Sequence, residues 1–131
     1  PGAPPPPPIP AGNCADIVMK NSGQIMHKLL AVPKISYSLS NCASSDASFT
    51  VTAVDAYQHY SYPFVDCIGT STWSLGTFAV KAGSSTGLTA DARRGSCGGF
   101  ERHLITLTVR DAASGQPLDV AYFSWSDAPG V

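Results

Sequence analysis

The sequence predicts an all-β protein, two antiparallel sheets packed as a sandwich, preceded by a polyproline N-terminal arm. Three observations carry this. Residues 35–40 alternate strictly between apolar and polar, and within 103–110 Ile105, Leu107 and Val109 alternate with Thr106, Thr108 and Arg110, the two-residue period of a strand with one buried face. Roughly eight short segments of strand character follow one another with turn residues between them, as in a two-sheet sandwich. Strong helix formers are scarce: Glu101 is the one glutamate in the chain, and lysines are few.

A chain of 131 residues with 44% hydrophobic content supports one domain with one core. Charged residues make up 13%, about half the usual share, and serine and threonine replace them. That surface suits an extracellular β-protein. The net charge of −1 argues against a nucleic-acid partner, and Arg93-Arg94 reads as a solvated loop. No apolar run reaches the roughly 18 residues of a membrane span. Four cysteines without CxxC spacing suggest two disulfides and an oxidising compartment rather than zinc or redox chemistry. The chain opens on Pro1 and shows no leader, which we read as a mature secreted protein whose leader was removed.

Residues 1–12 form the arm and 13–131 the sandwich domain. Pro1–Pro10 holds seven prolines in ten residues. Such a run favours a polyproline II rod of about 3.1 Å per residue. It serves either as a spacer or as a rod that docks on aromatic rings. Residues 14–20 read as a strand, 21–24 as a turn, and 25–32 as a second strand, with a helical turn over 24–31 as the alternative. Ile35, Tyr37 and Leu39 face inward against Ser36, Ser38 and Ser40. After a polar turn at 41–47, Phe49, Val51 and Ala53 face inward on a strand over 48–55, so these two strands are expected to pair as an antiparallel hairpin. Residues 56–66 look loop-like and carry Tyr57, His59, Tyr60, Tyr62 and Phe64. Aromatics at this density form a buried flap or a recognition surface. Residues 71–81 read as a strand in two parts, with a bulge at Gly76. A weaker strand follows at 86–92, then a glycine-rich loop at 93–99. The closing hairpin is 103–110 and 118–125, turned by 111–117 with Gly115 free to take positive φ. Leu39, Val51, Trp73, Phe78, Ile105, Leu107 and Val109 are the expected core.

The chemistry-bearing residues form no catalytic signature. His103 is in phase with Ile105 and is expected at the rim of the core, satisfied by a backbone carbonyl. His59 sits among tyrosines. No serine lies in a GxSxG elbow. Residues 95–99 are glycine-rich but lack the lysine and helix of a phosphate loop. Asp55 and Asp66 flank the aromatic stretch and read as strand-end residues. The expectation is a protein that is not an enzyme, with no catalytic, cofactor or metal residues.

The segments Tyr37–Cys42 (YSLSNC), Phe49–Val54 (FTVTAV), Cys67, Phe78–Gly83 (FAVKAG), Ser96–Phe100 (SCGGF) and Ile105–Asp111 (ITLTVRD) resemble, in strand order and cysteine placement, bacterial secreted immunoglobulin-like or fibronectin-III-like domains. The resemblance covers about residues 35–125. It implies an immunoglobulin-like sandwich with a non-enzymatic extracellular role and transfers no active-site residue.

Four cysteines allow three pairings. Cys14–Cys42 with Cys67–Cys97 is the preferred one. The first bond staples the N-terminal strand to the end of the 35–40 strand; the second ties the aromatic stretch to the loop before the last hairpin. Two functional expectations follow. One is a pilin-like or filament subunit whose Pro4, Pro5, Pro6, Pro7 and Pro8 lie across the rings of Tyr57, Tyr60 and Tyr62 in a neighbouring copy. Apolar residues on both sides of the closing strand agree with a covered outer surface: Val120 and Tyr122 on one, Ala121, Phe123 and Trp125 on the other. The second expectation is a carbohydrate-binding or adhesin module that stacks sugars or a surface protein on Tyr57, Tyr60, Tyr62 and Trp125.

Overall fold

The computed structural model describes residues 2, 13–26, 31–61, 64–98 and 100–127, with 60, 61 and 64–66 described by their backbone alone. The arm residues Pro4–Pro8, and Tyr62, lie outside this set. All regular structure described is β. The strands are β1 (Ala15–Met19), β2 (Gly23–Ile25), β3 (Lys34–Asn41), β4 (Ala47–Ser61), β5 (Phe64–Val80), β6 (Ser85–Asp91), β7 (Glu101–Asp111) and β8 (Pro117–Ser126). They form a three-stranded sheet in the order β1-β3-β6 and a five-stranded sheet in the order β2-β8-β7-β4-β5.

The sequence alternation decides which residues meet between the sheets. Ile35, Tyr37 and Leu39 of the smaller sheet share one core with Phe49, Val51, Ala53, Ile105, Leu107, Val109 and Phe123 of the larger. Each aliphatic or aromatic side chain fully withdrawn from water here contributes about 1.5–3 kcal/mol. Trp73 is buried as expected, with the Arg93 guanidinium 5.0 Å from its ring centroid, whereas Phe78 only packs against the core's margin.

β3 and β4 do not pair with each other. β3 joins β1 and β6, and β4 joins β5 and β7, so the chain crosses from one sheet to the other between Asn41 and Ala47. The polar segment is long enough to span the roughly 10 Å between packed sheets, and alternation alone does not distinguish a hairpin from such a crossing. Buried Asn41 fixes the corner. Its amide donates to the carbonyls of Ser45 and Val80, each at 2.9 Å, and its Oδ1 accepts the Ala43 N–H.

β4 and β5 run far beyond the expected strand ends. The aromatic stretch is part of this long hairpin, paired from Ala47↔Val80 to Ser61↔Phe64, rather than a loop. Gly76 takes a φ of 132° beside a register shift at Val51/Thr52, the expected bulge. The β7–β8 turn uses Gly115 at a φ of 75°. The expected second strand over 25–32 is only the tail of β2, which runs parallel to β8 at Ser124–Ser126; residues 27–30 lie outside the described set. The two sheets meet at the β1–β8 side, where Asp119 accepts the Ile17 N–H at 2.9 Å.

Candidate functional site

Beyond Ile105, the inward face of the larger sheet changes from apolar to polar. The register places Tyr57, His103 and Trp125 in one row across β4, β7 and β8. Their alternation puts all three on the core side, and all are buried. The rings line up accordingly. His103 stacks on Trp125 with centroids 4.1 Å apart and planes 7° apart, and Tyr57 lies 5.6 Å from His103 on the other side.

Both nitrogens of His103 face carboxylates. Nδ1 is 2.6 Å from Asp55 Oδ2, and Nε2 is 2.9 Å from Glu101 Oε1, with all three side chains buried. Only a doubly protonated ring donates to both; otherwise one carboxyl carries the proton. Either arrangement gives short, charge-assisted bonds in a low-dielectric setting. Glu101 also accepts the N–H of Gly95 on Oε1 and of Cys97 on Oε2, each at 2.8 Å. Its own N–H donates to Asp127 Oδ1 at 2.7 Å, and the Asp127 N–H donates back to the Glu101 carbonyl. Phe100, just before it, sits at a φ of 52°, a left-handed conformation rare for an aromatic residue. The one glutamate of the chain therefore holds the loop before β7 at Gly95 and Cys97.

Tyr57 is clamped by the same segment. Its hydroxyl bonds Ser96 Oγ at 2.9 Å. A Cβ placed on Gly69 or Gly95 would come within 2.4 Å of the ring, so both flanking positions require glycine. Cys67–Cys97 closes the assembly covalently, joining β5 to the loop, and Cys14–Cys42 joins the start of β1 to the end of β3. Both bonds match the preferred pairing.

Chemically this cluster is a lock. His103 presents no free ring nitrogen, and Tyr57 and Trp125 expose 7% and 3% of their surfaces. Neither ring can be a stacking platform for a sugar or a proline rod, which corrects both expected contacts. Tyr60 lies in β4 with its side chain undescribed. Asp55 is not a strand-end residue but a buried partner of His103, and His103 is satisfied by carboxylates instead of a carbonyl. The signal was present in the sequence: Asp55 and Tyr57 continue the Phe49–Val51–Ala53 alternation, and Glu101 continues that of His103. Among the described residues no group of histidine, cysteine, aspartate or glutamate is arranged to hold a metal ion, and no helix is long and apolar enough to cross a membrane.

The opposite end of the domain holds the foot of the arm. Asn13 Nδ2 donates to Asp111 Oδ1. Cys14 is bonded to Cys42, and the Cys42 N–H donates to the Cys14 carbonyl at 2.9 Å. Asp111 is held in turn by Ser114, whose N–H and hydroxyl both reach Oδ2 at 2.8 Å. These hydrogen bonds keep its carboxyl below the ordinary range: the Ser114 backbone contributes most, then Asn13, then the Ser114 hydroxyl.

The outer face of the larger sheet is a third distinct surface. Val54, Ile68, Leu104, Val120 and Tyr122 are all exposed there. From the Thr52–Thr108–Val120 row to the Ala56–Leu104–Ser124 row, no outward residue is charged.

No protein-family model and no curated protein sequence matches the chain. Among solved structures, the fold is similar to part of a β-glucuronidase from Bacteroides uniformis, with a TM-score of 0.54 and 14% identity over 87% of this chain. It is also similar to part of the alkylpurine DNA glycosylase AlkC of Pseudomonas fluorescens bound to DNA containing an abasic site analog, with a TM-score of 0.50 and 13% identity over 87% of this chain. The chain spans 13% and 30% of the length of those two proteins. At such identities the likeness concerns the fold alone.

Proposed function

We propose that this is a non-enzymatic extracellular structural protein, an immunoglobulin-like sandwich that assembles into chains of copies through its proline-rich arm. The strand order supports the immunoglobulin-like reading: β1-β3-β6 faces β2-β8-β7-β4-β5, and the N-terminal stretch divides its pairing between the two sheets. Two disulfides favour an oxidising, extracellular setting. The observation that carries assembly is the clamp at the arm's foot. Residues 13 and 14 are fixed by a disulfide, a backbone hydrogen bond and the Asn13–Asp111 contact, three positions after the last proline of a proline-rich segment. A segment anchored close to its foot meets a partner at lower entropic cost than one on a long tether. Arm-to-body contact between copies is heterologous and propagates without closing.

The test is light scattering with negative-stain microscopy on the full chain and on a chain lacking residues 1–10. Concentration-dependent oligomers that vanish with the deletion are expected. Monomers at every concentration for both chains refute the reading.

A second reading, a carbohydrate-binding or adhesin module, is favoured by Tyr122, which exposes 56% of its surface next to Thr106 and Thr108. Glycan-array binding lost on Tyr122→Ala would decide for it.

A further inference from the structure

We infer that the open edge of β5 is a further contact between copies, separate from the arm. Residues 68–74 of one copy add antiparallel to the same stretch of a second, and two five-stranded sheets join across a twofold axis at Ser71. β5 ends the larger sheet and pairs with β4 alone. Among the described residues, no backbone hydrogen bond from outside that ladder reaches 68–74. Every second residue of such an edge turns an N–H and a C=O to the open side, and another extended backbone is what matches that row. The backbone itself therefore names the class of partner, a strand. The arm's prolines have no N–H to give to a ladder, so the arm is not that strand.

The other sheet edges are guarded and this one is not. Natural edges are blunted by charge, short length or bulges. β1 carries Asp16, and its Ile17 N–H is taken by Asp119. β2 has three residues. The Lys20 ammonium lies over Gly87 in the middle of β6, and Asp91 ends that strand in an ion pair with Lys34. β5 holds no charged residue and no proline over residues 67–80. Its ladder to β4 is regular from Cys67 to Ser74, between the register shifts at His59/Tyr60 and Val51/Thr52. Beyond Ser74 the bulge begins, and the Gly76 N–H turns to Ser74 Oγ at 3.2 Å. Residues 93–97 pass on the core side without joining the ladder: Arg93 lies over the Trp73 ring, and the N–H groups of Gly95 and Cys97 go to Glu101.

The sequence of the stretch selects a second copy as the strand. Thr70-Ser71-Thr72 reads the same in both directions. A twofold centred on Ser71 therefore sets Thr70 of each copy opposite Thr72 of the other. Ile68, Thr70, Thr72 and Ser74 are all exposed, on the outer side of the sheet. Cross-strand hydroxyl pairs already join strands of this fold: Thr50 with Thr77 at 3.1 Å between β4 and β5, and Ser40 with Ser85 at 2.6 Å between β3 and β6. The same kind of pair forms twice across the axis, and no like charges face each other there. The contact is isologous, so it closes on a pair of copies.

A two-stranded ladder of this length holds copies weakly, so it is read at millimolar protein, above the range in which the arm's contact is expected to act. The chain lacking residues 1–10 keeps every strand and isolates the edge. It is expected to dimerise at that concentration by sedimentation equilibrium, with amide exchange at 68–74 slowing as the dimer forms. Two variants in the same background test the register. One carries Thr70→Lys with Thr72→Lys, the other Thr70→Glu with Thr72→Glu. Each alone is expected to dimerise about ten-fold or more weakly, because like charges meet in both pairs. Mixed, they are expected to form a heterodimer at least as tight as the parent dimer, which also shows that both are folded. Either variant dimerising like the parent overturns the proposal, as does a mixture no tighter than its components or protection that appears away from 68–74. A monomeric chain lacking residues 1–10 overturns it too; oligomers of the full chain at lower concentration would then leave assembly through the arm standing.

Discussion

The imidazole of His103 lies flat on the indole of Trp125, and each of its nitrogens meets a buried carboxylate. A cation-capable ring is thus held between an aromatic face and the acids Asp55 and Glu101. The arrangement fixes a loop, because Glu101 passes the constraint on to the amides of Gly95 and Cys97.

Removing the ring leaves two buried carboxylates with no partner between them. His103→Ala is expected to cost about 3–5 kcal/mol, read by urea unfolding. Thr106→Ala, on the outward face of the same strand, should stay within about 0.5 kcal/mol. A loss below about 1 kcal/mol for His103→Ala would show that the cluster does not organise this end of the domain.

Tyr57 couples two glycines that are 26 positions apart in the chain. Gly69→Ala and Gly95→Ala each drive a methyl into its ring and should cost about 1–3 kcal/mol by overpacking. In a Tyr57→Ala background the same substitutions should be nearly neutral. A double-mutant cycle measures the coupling; additive losses would mean the ring is not the obstacle.

Asp111 sets an acid limit. Its carboxyl titrates below the ordinary 3.8 in the folded chain. The group binds a proton more readily unfolded than folded, so it stabilises the fold in full above 3.8. That stability is lost as pH falls from there through the lower folded value. Asp111→Asn should destabilise the protein at neutral pH and flatten the acid limb of its urea midpoint. An unchanged limb would assign acid unfolding to other groups.

Tyr37 sets the alkaline limit. Burial raises its hydroxyl to about 12 from the usual 10.0. Between those values the unfolded chain has lost a proton that the folded chain retains, so stability falls as pH rises. The loss is on the order of 1.4 kcal/mol per pH unit. Tyr37→Phe should remove that slope, and ultraviolet titration of the folded parent should show an ionisation near pH 12 that the variant lacks.

Much of the architecture was legible from the sequence because one face of β3, β4, β7 and β8 is dry and the other wet. The Gly76 bulge, the Gly115 turn and the preferred cysteine pairing could be read for similar local reasons. The partner of each strand could not. The crossing between β3 and β4 depends on sheet spacing, and a polar loop such as 42–46 serves a hairpin and a crossing equally well. The aromatic stretch misled for a different cause: Tyr57 keeps strand phase, but its neighbours His59 and Tyr60 suggest a surface until Gly69 and Gly95 are seen against the ring. Asp55 is polar at a core position, which reads as a strand end until His103 is found beside it, and nothing local in the sequence assigns Glu101 its place on the other side of that ring.

The two disulfides also decide how this domain would behave under tension. Force entering through the arm reaches Cys14 and passes across the sulfur bridge to Cys42, so residues 15–41 are bypassed. Further along, Cys67 hands it to Cys97, and residues 68–96 are bypassed as well. The covalent path through the molecule is shortened by those two spans. A pulled copy would let out only the segments between and beyond the bridges, as a rope spliced at two points pays out only its free lengths.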